Sequence, residues 1–505
     1  MMHKRFFANG RWKKALGVVA FIGVFALMFN YATWIFRTNV NDDVVGLENE
    51  GDLDVLWLGG SVAAHYFQPL QAYHDYGYCA YDFGSNACRT DFYINELAYA
   101  RRIQDFDLYI VDLRTLALLS EEVRDIEIGS WTSQLGVFSF NRFDSMYRYY
   151  SKRRLEDGID WTSIVFDIAR THSNTKALAD ERQWDILYGK RQTETRGFET
   201  AIQHTAFEKP NVATTERRTL TDHQREVFTD LLDYCKNKKM QVLFIVNPYI
   251  VSKEEWETYN SAADLIDVYG FDYLNTNEYV DEMGIDFETD FENMNHVNYL
   301  GSVKFHKWFS KYLKEHYDLP DHRVDPEYSF WEDDYERFKK NQEDLTSQIT
   351  ELVESHLEAK ETGLSLSQMD DTTEWLSAIK NDNYTIVLAA SDIIDDDGML
   401  DLFSDWEIQP GENYVGVWEG NSKIYVGQSN ETEEYEGLFS ASSPIPQQSY
   451  GAYAGDDGTA ISVNGIVQDL PPGQIKVVVF DVNYQRVWDS VALVQENNRG
   501  FTLYR

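Results

Sequence analysis

The chain has 505 residues, 45 basic and 84 acidic, for a formal net charge of −39. A hydrophobic fraction of 43% supports two or three packed domains and excludes wholesale disorder, and three cysteines exclude a disulfide-built scaffold. So large an acidic excess argues against a protein that wraps nucleic acid, which needs clustered Lys and Arg against the phosphates.

The charge is unevenly spread. Residues 1–41 hold Lys4, Arg5, Arg11, Lys13, Lys14 and Arg37 and no acid, which leaves the remainder at −45. Between Lys14 and Arg37 runs the uncharged stretch ALGVVAFIGVFALMFNYATWIF (15–36), with Trp12 and Trp34 at its ends. Its length suits one membrane-spanning helix, and the terminal aromatics suit the lipid–water boundary. The expected reading is a retained single span over 15–36, a cytoplasmic basic tail over 1–14, and the bulk outside the cell membrane. The alternative is a cleaved signal peptide, against which stand the length of the run and the lack of an A-x-A site after it. Cys79 and Cys88 are close enough in sequence to pair, a point the odd cysteine count leaves open, and Cys235 reads as a small core residue.

After a short acidic connector the pattern becomes α/β. DVLWLG (54–59), CAYDFG (79–84) and DLYIVDL (107–113) read as strands, the first as a nearly continuous apolar run buried on both faces, and TDFYINELAYARRIQ (90–104) reads as a helix. Residues 115–215 are aromatic, charged and poorly periodic, as expected of a cap or insertion. Thr221 and Gln224 have capping-box spacing and open a helix; MQVLFIVNP (240–248) and FDYLN (271–275) read as strands and 299–317 as an amphipathic helix. The expected domain is a mostly parallel, doubly wound α/β sheet over 50–318. A charged helical linker covers 319–375, with its helix at 333–360. A β-sandwich-like module covers 376–505, built from runs at 384–391, 413–419, 423–429, 460–465, 475–481 and 489–494.

Two sites carry the chemistry. Gly59-Gly60-Ser61 follows the first buried strand, where a parallel sheet binds its ligands, and a serine there combines an exposed hydroxyl with a helix N-terminus. The plainer reading is a strand-to-helix turn with Ser61 as cap. Neither a G-x-G-x-x-G pattern nor a phosphate-binding loop is present. His296, in the loop DFENMNHVNYLG (290–301), has the residue type that draws a proton off a serine hydroxyl, although an isolated histidine in an Asn-rich loop is commonly a surface residue.

Leu58-Gly59-Gly60-Ser61, the YDFGSNA segment (81–87) and NHVNYLGSVKF (295–305) together resemble the SGNH (GDSL-like) hydrolase superfamily. The closer likeness is to membrane-anchored exported members such as the lipoteichoic-acid D-alanyl transfer protein and alginate-type O-acetyltransferases. The resemblance implies a three-layer, flavodoxin-like sheet, Ser61 as nucleophile and His296 as general base. It also implies an oxyanion hole from the N–H groups of Ser61 and Gly84 with the Asn86 amide. It implies no cofactor and no metal. One position departs: the family has Asp three residues before its His, and this chain has Asn293. Asp290 or Glu292 takes over as orienting carboxylate, or a Ser–His dyad operates, or catalysis has been lost. The last 130 residues are similar to the interleukin-like EMT inducer (ILEI) domain through NDNYTIVLAASDIIDDDGML (381–400) and GQIKVVVFDVNYQRVWDSV (473–491). Trp406, Trp418 and Trp488 are candidates there for stacking on sugars, with the core as the alternative. Asp395-Asp396-Asp397-Gly398 reads as a solvated turn rather than a calcium loop.

The expected function is a membrane-anchored, extracytoplasmic serine acyl esterase or O-acyltransferase acting on cell-surface polysaccharide through a covalent acyl-Ser. By the same resemblance, a polytopic membrane O-acyltransferase supplies the acyl group. The alternative is a catalytically impaired surface scaffold or glycan-binding protein. A nuclease or phosphatase is disfavoured by the absence of a His/Asp metal-ligand cluster in the sequence.

Overall fold

The computed structural model describes residues 11–36, 46–84, 88–120, 122–124, 127–128, 131–149, 154–179, 194–391, 393–394, 399–440, 448–468, 475–496 and 500–505. They form two compact units. The first comprises Met1–Thr200, Pro210–Ile285 and Gly301–Gln342, and the second Ala201–Lys209, Asp286–Leu300 and Glu343–Arg505.

In the first unit, helix α1 (Arg11–Phe36) holds a segment long and apolar enough to cross a membrane, Trp12–Phe36. None of its most apolar stretch is buried in the protein, unlike the core helix of a globular domain. Five parallel strands follow: β1 (Val55–Gly59), β2 (Ala80–Gly84), β3 (Leu108–Asp112), β4 (Val242–Val246) and β5 (Asp272–Asn275), in the spatial order β2-β1-β3-β4-β5. Every residue of β1 to β4 is buried, which explains why β1 and β4 read as unbroken apolar runs instead of alternating ones. Helices α2 (Ser61–Tyr66), α3 (Pro69–Tyr76), α4 (Tyr93–Ile103), α5 (Phe140–Tyr149), α6 (Asp222–Asn237), α7 (Lys253–Tyr269) and α8 (Tyr299–His316) punctuate the chain. Both halves of the Thr221–Gln224 capping box form at the start of α6, and Ser252 with Glu255 builds a second one at α7, which ends on left-handed Gly270. Trp57 of β1 packs its ring on Phe67, Phe305 and Phe309 at 5.5, 5.9 and 5.2 Å, tying the sheet to α8.

The edge strand β2 is covered by the chain returning at Arg196, whose carbonyl accepts from Asp82 N–H at 2.9 Å. Arg196 is buried; its guanidinium meets Glu50 at 2.9 Å and Asp334 at 2.5 Å and lies 4.7 Å above the Trp331 ring. Cys79, Cys88 and Cys235 are free thiols, all buried, and no Cys79–Cys88 bridge is formed. Burial pushes Cys235 up to about 12 and Cys88 well above the ordinary thiol range.

The second unit begins with a short hairpin, β6 (Phe291–Asn293) and β7 (His296–Val297). The long helix α9 (Ser329–Leu366) extends beyond the 333–360 span read from the sequence, and its later turns give Ala359 and Leu366 to the core of this unit. Short helices at Thr372–Ala378 and Met399–Trp406 follow, and the described strands beyond α9 all pair antiparallel. Six of them, β8 (Tyr384–Ala390), β9 (Asn413–Glu419), β10 (Ser422–Ser429), β15 (Ile475–Asp481), β16 (Arg486–Glu496) and β17 (Gly500–Tyr504), make a sheet ordered β10-β9-β8-β15-β16-β17. The other four, β11 (Glu433–Leu438), β12 (Ser449–Gly455), β13 (Gly458–Val463) and β14 (Ile466–Val467), make a second sheet. Strand alternation divides the larger sheet between two cores. Val387, Ala389, Val415 and Val478 meet Ala452 and Ile461 of the smaller sheet, while Ile386, Leu388 and Val477 meet Leu366 and Trp375.

Candidate functional site

Strand β1 has β2 on one side and β3 on the other, so the connections leaving β1 and β3 diverge, and a crevice opens at the carboxyl ends of those strands. Ser61 stands at this point. Gly60 caps α2 in an extended conformation, its carbonyl accepting from Ala63 N–H at 3.1 Å, and Ser61 opens the helix half-exposed. The glycines are required by packing. A Cβ on Gly59 would stand 2.9 Å from the Asp112 Cβ and 3.1 Å from that of Ala63, and one on Gly84 would stand 3.0 Å from the Gly60 carbonyl oxygen. Gly84 is therefore in contact with the turn that carries Ser61. Asn86 and the Asp395–Gly398 turn lie outside the described residues.

Ser61 lines a cavity of about 160 Å³ together with Cys88, Arg89, Arg114, Thr115 and Glu127. Arg89 is buried and held by Glu127 at 3.0 Å, Asp91 at 3.3 Å and the Glu122 carbonyl at 2.6 Å. Arg114 lies 4.7 Å above the Tyr249 ring. The sequence reading missed these arginines, because they come from separate loops with no spacing that ties them to Ser61. Asp112, at the end of β3, is fully buried. Burial raises its carboxyl to about 7, and the Arg114 charge and backbone N–H pull it the other way. Such a group is at ~3.9 in the unfolded chain, so its contribution is complete below about pH 4 and is lost as pH rises towards 7. Asp112→Asn is accordingly expected to raise the melting temperature of the first unit at pH 8 and change it little at pH 4. Melts across that range showing a pH-independent shift would contradict this.

His296, Asn293, Glu292 and Asp290 belong to the second unit. In the β6–β7 hairpin Asn293 pairs with His296, and the Asn293 Oδ1 accepts from Asn295 N–H at 2.9 Å. Asp290 is buried in a turn, accepting from Asp286 N–H at 2.7 Å and Thr289 Oγ1 at 3.0 Å. Glu292 carries an oxygen 3.9 Å from His296 Nδ1. Glu292 thus places a carboxylate beside the imidazole, and Asp290 accepts two hydrogen bonds from its own turn.

The same unit has a cavity of about 640 Å³ lined by Phe207, Glu288, Lys360, Tyr484, Arg486 and Trp488. Tyr484 donates to Glu288 at 3.0 Å, and Lys360 forms an ion pair with the same carboxylate. Trp406 and Trp418 are core residues. Trp488 has Gly363 packed so closely on it that a Cβ there would fall 2.5 Å from the indole, and the Arg486 guanidinium stands 4.6 Å from its ring. Trp406 and Trp418 thus serve the fold, in keeping with the core alternative, while Trp488 is partly buried and lines the cavity. Elsewhere in the first unit, Asp54, Cys79 and His322 bring metal-ligating atoms within 4.8 Å of one another at the opposite end of the sheet. There Asp54 already accepts from Cys79 N–H at 2.6 Å and meets His322 Nε2 at 3.1 Å. No protein-family model matches this chain, and a search of the curated proteins finds no match.

Proposed function

We propose that this is a membrane-anchored, extracytoplasmic acyl-ester hydrolase or O-acyltransferase of the SGNH type, acting on cell-surface polysaccharide. The observation that carries the reading is the position of Ser61. It lies at the carboxyl end of β1, beside the reversal of strand order, at the start of a helix and on the wall of a cavity. In this reading Ser61 attacks the ester carbonyl, the backbone N–H groups of Ser61 and Gly84 receive the oxyanion, and His296 is the general base. Glu292 replaces the missing aspartate in orienting the imidazole. The ester's alcohol leaves with the proton that His296 took from Ser61, and water or a sugar hydroxyl, giving its own proton to His296, then takes the acyl group from Ser61. The acyl donor is a polytopic membrane O-acyltransferase, and the C-terminal module is read as ILEI-like. The test is a fluorophosphonate probe on the full chain in detergent. The expected result is one adduct, mapped to Ser61 by peptide mass and absent from Ser61→Ala; an unlabelled wild type would leave the glycan-binding scaffold as the better reading.

A further inference from the structure

Helix α5 is amphipathic with its apolar face outward. Phe140, Phe143 and Tyr147 are spaced three and four apart and so share one face, and that face is the exposed one, with Phe140 75% and Tyr147 78% accessible. The inward residues include Arg142, fully buried in an ion pair with Asp167 at 2.8 Å. Exposed Phe138 and Phe166 both reach the apolar helix: their rings stand 6.2 and 5.8 Å from Phe29 of α1. Val137 N–H donates to Asn30 Oδ1 at 2.8 Å, and Asn174 donates to the Phe36 carbonyl at 3.3 Å.

These contacts fix a depth. A hydrocarbon core of about 30 Å takes up about 20 helical residues. Counted from Ala15, just after Lys14, it ends near Trp34, an aromatic suited to the boundary. Phe29 then lies roughly 7 Å below the outer surface, at 1.5 Å per residue. Rings packed on Phe29 share that depth. Asn30, a polar amide inside the apolar run, has its oxygen satisfied there by the Val137 N–H, as lipid requires. Residues 136–179 also carry seven basic side chains against five acidic ones, in a chain whose net charge is −39. That local balance favours anionic headgroups.

We propose that Phe138, Phe140, Phe143, Tyr147 and Phe166 enter the outer leaflet beside α1, giving the first unit a second, monotopic contact with lipid. The proposal rests on α1 being a membrane span, and the experiment separates the two. The full chain is placed in nanodiscs of phosphatidylcholine and phosphatidylglycerol, with a nitroxide on Phe140→Cys or Phe143→Cys. Phe21→Cys marks the span and exposed Val268→Cys marks water, and the three native thiols are buried. Melting temperatures equal to wild type verify folding. The expected result is that positions 140 and 143, like position 21, show strong oxygen collision and nickel-chelate collision several-fold below position 268, at a shallower depth than position 21. Accessibility equal to that of position 268 overturns the lipid contact. So does protection from both reagents, which would mark a face covered by protein. Position 21 reading as water would instead overturn the span, and the proposal with it.

Discussion

Turnover of an activated acyl ester is expected to fall by about 10³ or more in Ser61→Ala and by about 10²–10⁴ in Glu292→Gln. The serine change removes the atom that forms the covalent intermediate. The glutamate change leaves the hairpin in place and removes the carboxylate 3.9 Å from His296 Nδ1, the group proposed to orient the imidazole and balance the charge it acquires. Asn293→Asp is expected to change activity only a few-fold, because a carboxylate oxygen accepts the Asn295 N–H as the amide oxygen does. Asp290→Asn is expected to weaken the turn that Asp286 and Thr289 donate into, and to show in melting temperature before it shows in kcat. Steady-state kinetics on the four variants separate these roles. A large gain in Asn293→Asp with no loss in Glu292→Gln would defeat the assignment of Glu292.

Gly197→Ala is expected to destabilise the first unit by more than about 3 kcal/mol. Gly197 has φ +89°, and a Cβ there would lie 1.9 Å from the Asp82 carbonyl oxygen, backbone that cannot yield without breaking the cover on β2. Gly158 is the control: its φ is +94°, yet nothing lies within 4 Å of an added Cβ. Gly158→Ala therefore carries only the conformational cost of about 1 kcal/mol. The neighbouring Arg196→Met should cost about 3–5 kcal/mol, since it leaves buried Glu50 without its counter-charge. Thermal and urea melts decide between these values. Equal losses in the two glycine variants would show that the contact with Asp82 is unimportant.

The strands of the parallel sheet were legible because burial on both faces leaves no polar position to interrupt them, as in VLWLG and VLFIV. Helix starts were legible where a capping box is written in the sequence, as at Thr221. Strands β11 and β12 were not. EEYEGL has glutamates at two of its three exposed positions and SYGAYAG is rich in glycine and alanine, so neither has strong intrinsic strand preference, and both form by pairing with their neighbours. At the site, Gly-Gly-Ser after a buried strand announces its own geometry. The guanidinium groups of Arg89 and Arg114 do not, because side chains from separate loops meet only once the chain is folded. The approach of Glu292 to His296 depends on which way a hairpin turns its side chains, and spacing from His296 alone does not determine that.

Cys79, Cys88 and Cys235 make the first unit its own stopwatch. Only the thiolate attacks a thiol reagent, and each of these thiols is buried with ionisation opposed by its surroundings. Modification is slowed to the pace at which the protein opens around them, so the reaction of each thiol reports on the structure next to it without any added label.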